Sequence, residues 1–220
     1  RDLTVTGVQT CALPIYDRMV RVWRLSDGQE VARLQGGAAG RDLVFIDNNT
    51  LAVAGADGIV AIWNISGAKI LRSLAGHVGP VLAVDWLPVA RKLASAGKDG
   101  MVRLWDSDRG KELYKLAGHE GGVLSLSFSR DGKQLVSGGA DKTLRVWDTR
   151  SCQCIRAIQE FDGAVQPLSV HPTAATTVAT GDSRGQVAFW DIAYVNGNLA
   201  RPPDRKSTRL NSRHSEISYH

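Results

Sequence analysis

His77, Ser95 and Asp99 are the side-chain types a serine hydrolase uses: an imidazole base, a hydroxyl nucleophile and an orienting carboxylate. His119, Ser137 and Asp141 repeat the set, each member 42 residues further along. Hydrolysis also needs an exposed nucleophile with an oxyanion hole beside it. A catalytic centre is not expected twice in one chain at identical spacing, so the duplication favours an architectural reading. No phosphate loop, paired catalytic carboxylates or metal-ligand cluster accompanies these residues, so no catalytic, cofactor or metal residue is assigned. Cys152 and Cys154 form a C-x-C read as part of one strand. Residues i and i+2 on a strand lie about 6–7 Å apart, a poor geometry for a disulfide, and a structural role is expected.

These residues belong to a longer repeat. Trp23, Trp63, Trp105, Trp147 and Trp190 close the runs MVRVW, IVAIW, MVRLW, TLRVW and QVAFW, at spacings of 40, 42, 42 and 43. Asp17, Asp57, Asp99 and Asp141 each stand six residues before the tryptophan. Ten residues before it come Val53, Ser95, Ser137 and Thr180. Gly76-His77 and Gly118-His119 open two of the units, and Asp follows the tryptophan at Asp106, Asp148 and Asp191. A fixed period near 42 marks a repeat architecture.

Within a unit the short-range pattern is β. In the third unit Val81–Trp86, Lys92–Ala96, Met101–Trp105 and Glu112–Leu116 read as four short strands, the first alternating polar and apolar residues. Asp99-Gly100, Asp108-Arg109-Gly110 and Asp131-Gly132 mark turns, because glycine takes positive φ without steric cost. Helical periodicity is absent from the body. With 43% hydrophobic and 22% charged residues in 220, the chain reads as an ordinary globular one, and no apolar run approaches the roughly 20 residues of a membrane-spanning helix.

The units GH…SAGKDGMVRLWD and GH…SGGADKTLRVWD resemble WD-repeat (WD40) β-propeller blades. The resemblance covers residues 16–192 and implies an all-β fold: an incomplete WD40-type propeller of about four to five blades of four antiparallel strands, in an open arc. Repeats would start near Gly36, Gly76, Gly118 and Phe161, behind a fragment that lacks its inner strands. The last blade would lack its outer strand.

The resemblance also implies a structural network joining His77, Ser95, Asp99 and Trp105 in one blade and His119, Ser137, Asp141 and Trp147 in the next. The polar logic supports it: an indole N–H only donates, a carboxylate only accepts and a hydroxyl does both. The unit with Gly37-Ala38 and Val53 lacks these groups, and the last has Phe161-Asp162 and Arg184 in their place. Both are expected to rely mainly on apolar packing. Trp86 aligns with Phe128 as a core aromatic, and His171-Pro172 is expected in a solvated turn.

Residues 5–15, VTGVQTCALPI, and 204–214, DRKSTRLNSRH, resemble translations of a sequencing adapter. Residues 1–15 and 204–220 are therefore expected to lie outside the fold, leaving 16–203 as the partial propeller. Four basic against two acidic residues after position 203 leave the body at +3 of the total +5. Scattered charge of that size argues against a nucleic-acid surface, and neither a membrane partner nor a cofactor is expected.

The family's general role makes the chain a non-catalytic interaction scaffold for a protein or peptide. The alternative is the propeller part of a larger enzyme or electron-transfer protein. Lys98, Glu120 and Arg184 stand at loop positions where the repeat makes no packing demand, and are the candidate partner-binding residues. An incomplete arc would also be prone to self-association.

Overall fold

The structure is a computed structural model that describes residues 10–15, 18–171, 176–192, 194–195 and 198–199. Five antiparallel sheets of three or four strands follow one another along the chain, each laid out in chain order, and a sixth, two-stranded one pairs Tyr194–Val195 with Asn198–Leu199 at the end. The first has three strands, β1 (Thr10–Ile15), β2 (Met19–Arg24) and β3 (Glu30–Gln35). The second has four: β4 (Gly40–Asp47), β5 (Thr50–Gly55), β6 (Ile59–Asn64) and β7 (Lys69–Ala75). The third holds β8 (Val81–Leu87), β9 (Lys92–Gly97), β10 (Val102–Asp106) and β11 (Lys111–Leu116). The fourth holds β12 (Val123–Phe128), β13 (Gln134–Gly139), β14 (Leu144–Asp148) and β15 (Cys154–Ile158). The fifth has three, β16 (Val165–Val170), β17 (Thr177–Asp182) and β18 (Val187–Asp191). Among the described residues the helical structure is one 3-10 turn, Pro88–Ala90.

The innermost strands pack in series, β4 on β8, β8 on β12 and β12 on β16, so the sheets stand as neighbouring blades of an open arc. The core lies between blades, not within them. Val60 and Ile62 of β6 meet Leu93 and Trp105 of the next sheet. Val102 and Leu104 of β10 meet Leu135 and Trp147. Leu144 and Val146 of β14 meet Val178 and Trp190. Each of the first four sheets thus buries one face against the tryptophan-bearing face of its successor, the pairing of layers that a single half-apolar sheet requires.

Inner strands are covered on both faces, so the alternation expected for Val81–Trp86 fails: β8 is buried at most positions, including Asp85. Two further departures repeat from sheet to sheet. The pairing with the outer strand carries a bulge at the tryptophan, at Val22/Trp23, Ile62/Trp63, Leu104/Trp105 and Val146/Trp147. A second bulge interrupts the start of the inner strand, as at Val81/Ala83 and Val123/Ser125. Bulges add local twist, which suits sheets that fan around a common axis.

Residues 10–15, expected outside the fold, pair antiparallel with β2, from Thr10↔Arg24 to Ile15↔Met19, and so supply one inner strand to the first sheet. Backbone pairing is indifferent to side chains, and the inner edge of β2 offers N–H and C=O groups to any extended segment. The rest of the two end segments, residues 1–9 and 204–220, lies outside the described residues, as do Asp17 and Pro172.

Candidate functional site

The polar residues that recur in the sequence come together in the third and fourth sheets. His77 lies on the crossing from β7 to β8, Ser95 in mid-β9, Asp99 in the β9–β10 turn and Trp105 on β10. Trp105 donates its indole N–H to Ser95 Oγ at 2.8 Å, and Ser95 Oγ lies 2.8 Å from His77 Nε2. His77 Nδ1 lies 3.0 and 3.1 Å from the two Asp99 oxygens. Asp99 also accepts from the backbone N–H groups of Val78 and Met101, at 3.0 and 3.2 Å. One assignment of protons satisfies every bond: indole to hydroxyl, hydroxyl to Nε2, and Nδ1–H to carboxylate.

The fourth sheet repeats this geometry. Trp147 donates to Ser137 Oγ at 2.9 Å, His119 Nε2 is 2.8 Å from the same oxygen, and His119 Nδ1 is 3.0 Å from both Asp141 oxygens. Thr143 adds a hydroxyl donor to Asp141 at 2.9 Å. Gly139 shows how tightly the ring is held, since a Cβ there would collide with both the His119 ring and the Asp141 carboxylate. Gly100 takes φ +76° and brings the β9–β10 turn against the carbonyls of His119 and Gly121 in the next blade.

Burial pushes both imidazoles below their ordinary range, outweighing the attraction of their carboxylate partners. Burial raises the Asp99 and Asp141 carboxyls, but hydrogen bonds from the histidines and backbone outweigh it and hold both below the usual range. Ser95 and Ser137 are fully enclosed, and each hydroxyl is committed between an indole and an imidazole. Neither oxygen is open to a substrate. Among the described residues no three His, Cys, Asp or Glu side chains are grouped to share a metal ion.

The second and last units differ from each other. In the second, Asp57 is exposed and accepts the Ile59 N–H at 3.2 Å, while Val53 and Trp63 join an apolar cluster. The last unit is not held by apolar packing alone. Trp190 donates to Thr180 Oγ1 at 2.8 Å, and the Phe161 ring lies 5.1 Å from the Trp190 ring, in the place of histidine. Asp182, two residues before the expected position, closes the turn by accepting from Arg184 N and Gln186 N, both at 2.9 Å.

Sequence reasoning missed a second set of carboxylates that tie blades together. Asp85 Oδ2 accepts from Phe128 N at 2.8 Å and Ser127 Oγ at 3.1 Å across the blade boundary. Asp42 Oδ2 accepts from Val84 N at 2.9 Å. Neither aspartate repeats, and a charged residue inside an apolar inner strand was the available signal. Cys152 also departs from its assignment: it precedes β15, in a left-handed turn at φ 59°, with its N–H bonded to Asp148 O. Both Cys152 and Cys154 are free thiols. Trp86 is half-buried against the core between the second and third sheets, and His171 is exposed.

The family model described as "WD domain, G-beta repeat" matches residues 68–106 and 110–148. These are WD40 repeats. Each matched stretch takes the outer strand of one sheet and the three inner strands of the next, the phase in which the His–Ser–Asp–Trp network is completed. A sterol regulatory element-binding protein cleavage-activating protein from Xenopus laevis is 32% identical over 81 residues. That match spans 36% of this chain and 6% of the relative. WD40 repeats indicate a protein-interaction scaffold.

The candidate binding residues sit on the loops of the WD40 blades. Lys98 and Glu120 are exposed on adjoining loops, where Gly122 packs against the Lys98 backbone and Ala140 N donates to Gly122 O. Arg184 is exposed in the β17–β18 turn of the last blade. The structure brings Lys98 and Glu120 to neighbouring loops and leaves Arg184 two blades from Lys98 and one from Glu120. Val78, which follows His77 on the same face, is 79% exposed.

Proposed function

We propose that this chain is a non-catalytic platform that binds a protein or peptide across its loop face. The observation that carries the reading is the contrast between repeated and unrepeated polar residues. His77, Ser95, Asp99 and their counterparts are consumed by internal hydrogen bonds, whereas Lys98, Glu120 and Arg184 are exposed to solvent. Mixed charge on neighbouring loops suits an oriented polar segment better than a long polyanion. The Xenopus laevis relative is named for activating cleavage of another protein, a role exercised on a protein partner.

The test has two arms. Ser95→Ala and Ser137→Ala should leave any esterase activity of the preparation unchanged, since neither hydroxyl acts as a nucleophile. A partner captured from host cells should bind the Lys98→Glu/Arg184→Glu variant more weakly by about 1 kcal/mol, chiefly through slower association. Unchanged association and dissociation rates would put recognition away from these loops.

A further inference from the structure

An arginine stands two residues before the tryptophan in three of the five units: Arg21, Arg103 and Arg145. Across the bulge, the outer-strand residue paired with each tryptophan is Glu30, Glu112 and Cys154 respectively. In the first two cases arginine and glutamate form an ion pair, at 3.6 Å for Arg21–Glu30 and in direct contact for Arg103–Glu112. Arg103 also approaches Asp99 at 3.9 Å and is almost entirely buried. In the second unit both members are missing together, as Ala61 and Ile70. The fourth sheet alone among these keeps the cation and has lost the anion.

Arg145 is correspondingly different. Its polar contact is a long one, Nη1 to Cys154 Sγ at 4.0 Å, and among the described residues no carboxylate lies within 4 Å of it. Its Nε is enclosed without an acceptor, as is that of Arg103, so the difference between them lies at the terminal nitrogens, where Arg103 meets Glu112 and Arg145 meets the Cys154 thiol. The guanidinium is half-buried, not sealed, and lies over Gly118, where an added Cβ would stand 2.9 Å from Nη1. Gly118 opens the loop that carries Glu120, so this cation borders the proposed binding face. A guanidinium in a partly desolvated setting gains most from a carboxylate in bidentate or near-bidentate contact.

We propose that Arg145 receives a carboxylate from a bound partner, an acidic side chain taking the place Glu112 fills in the neighbouring blade. The inference rests on the interaction-platform reading and gives that partner a chemical requirement. Cys154 contributes by its size: a thiol in place of glutamate leaves room beside the cation.

Arginine side-chain N–H signals of the full chain, followed by NMR during titration with N-acetyl-Gly-Glu-Gly-amide, test it without the native partner. The Arg145 Nε–H signal, identified by its loss in Arg145→Lys, should shift saturably while the Arg103 signal stays in place. Cys154→Glu should move the Arg145 signal before any peptide is added and abolish the response. Cys154→Ser, which adds no charge, should preserve it. Equal movement of Arg103 and Arg145, an equal shift with sodium chloride at matched ionic strength, or a persisting response in Cys154→Glu would overturn the proposal. Those failures would leave the capture experiment above untouched, so the two readings fall separately.

Discussion

Trp190 donates its indole N–H to Thr180 at 2.8 Å, the bond that Trp105 makes to Ser95 and Trp147 to Ser137. The last blade has neither the histidine nor an aspartate six residues before its tryptophan, yet keeps this link. The indole–hydroxyl bond is therefore the inner element of the network, and His–Asp is a layer added above it. Thr180→Val preserves shape and removes the acceptor, stranding a buried donor at a cost of about 1–3 kcal/mol. Ser137→Ala strands both Trp147 and His119 and should cost more. Urea unfolding of the two variants gives the comparison, and a neutral Thr180→Val would show that the indole proton has another acceptor.

The outer layer can be weighed in the same way. Asp141→Ala removes the acceptor for His119 Nδ1–H, Glu120 N–H, Thr143 N–H and the Thr143 hydroxyl. The expected loss is about 2–3 kcal/mol. Asp57 stands at the equivalent position but is exposed and serves a single backbone N–H. Asp57→Ala should cost well under half as much. Equal losses in denaturant midpoint would show that the histidine layer contributes nothing beyond the turn itself.

Acid should loosen the fold in two stages. A histidine held below its ordinary pKa takes up a proton in the unfolded chain before it does so in the folded one. Stability therefore falls as pH drops below the unfolded value of about 6.5. His77 and His119 both follow this sign. Asp99 and Asp141 are held low, so their contribution is present above the ordinary carboxylate range and is lost only as pH falls through their folded values. Chemical denaturation across the range from neutral down to about one unit below the ordinary histidine value should show a declining midpoint. The profile should be flatter in His77→Asn/His119→Asn. A midpoint that rises on acidification would contradict the assignment of neutral imidazoles.

The strands were legible because the repeat marks them redundantly. Tryptophan ends the third strand, Asp-Gly or Asp-Lys turns precede it, and the apolar runs between have nowhere to go but a sheet. Lys92–Gly97 and Lys111–Leu116 fall within a residue of their expected positions for that reason. The network was legible because its members recur at one spacing. The bulges were not, since an extra residue in a short strand leaves no compositional mark. Asp42 and Asp85 escaped because each occurs once, and their partners lie 42 and 43 residues away on another blade. Cys152 was misplaced because nothing in C-x-C announces the left-handed turn that ends before Cys154.

The far end of the arc makes the last prediction. Val102 and Leu104 of β10, and Leu144 and Val146 of β14, are fully buried against the next blade. Their counterparts on β18, Val187 and Phe189, are 37% and 59% exposed. Among the described residues β18 also lacks the paired outer strand that β11 and β15 provide to their sheets. An uncovered apolar face beside an unpaired strand edge is the combination that drives edge-to-edge association. In every interior boundary such a face meets a tryptophan-bearing sheet, so the first sheet of a second copy, with Trp23 half-buried, offers the matching surface. The isolated chain should self-associate in a concentration-dependent way on light scattering. Phe189→Glu should shift that equilibrium toward monomer by about tenfold or more, since burying a carboxylate opposite an apolar sheet costs well over about 1.4 kcal/mol. Phe189→Leu should leave it nearly unchanged. A monodisperse wild-type monomer with a single cooperative melt would mean that the exposed face is covered by residues of this same chain.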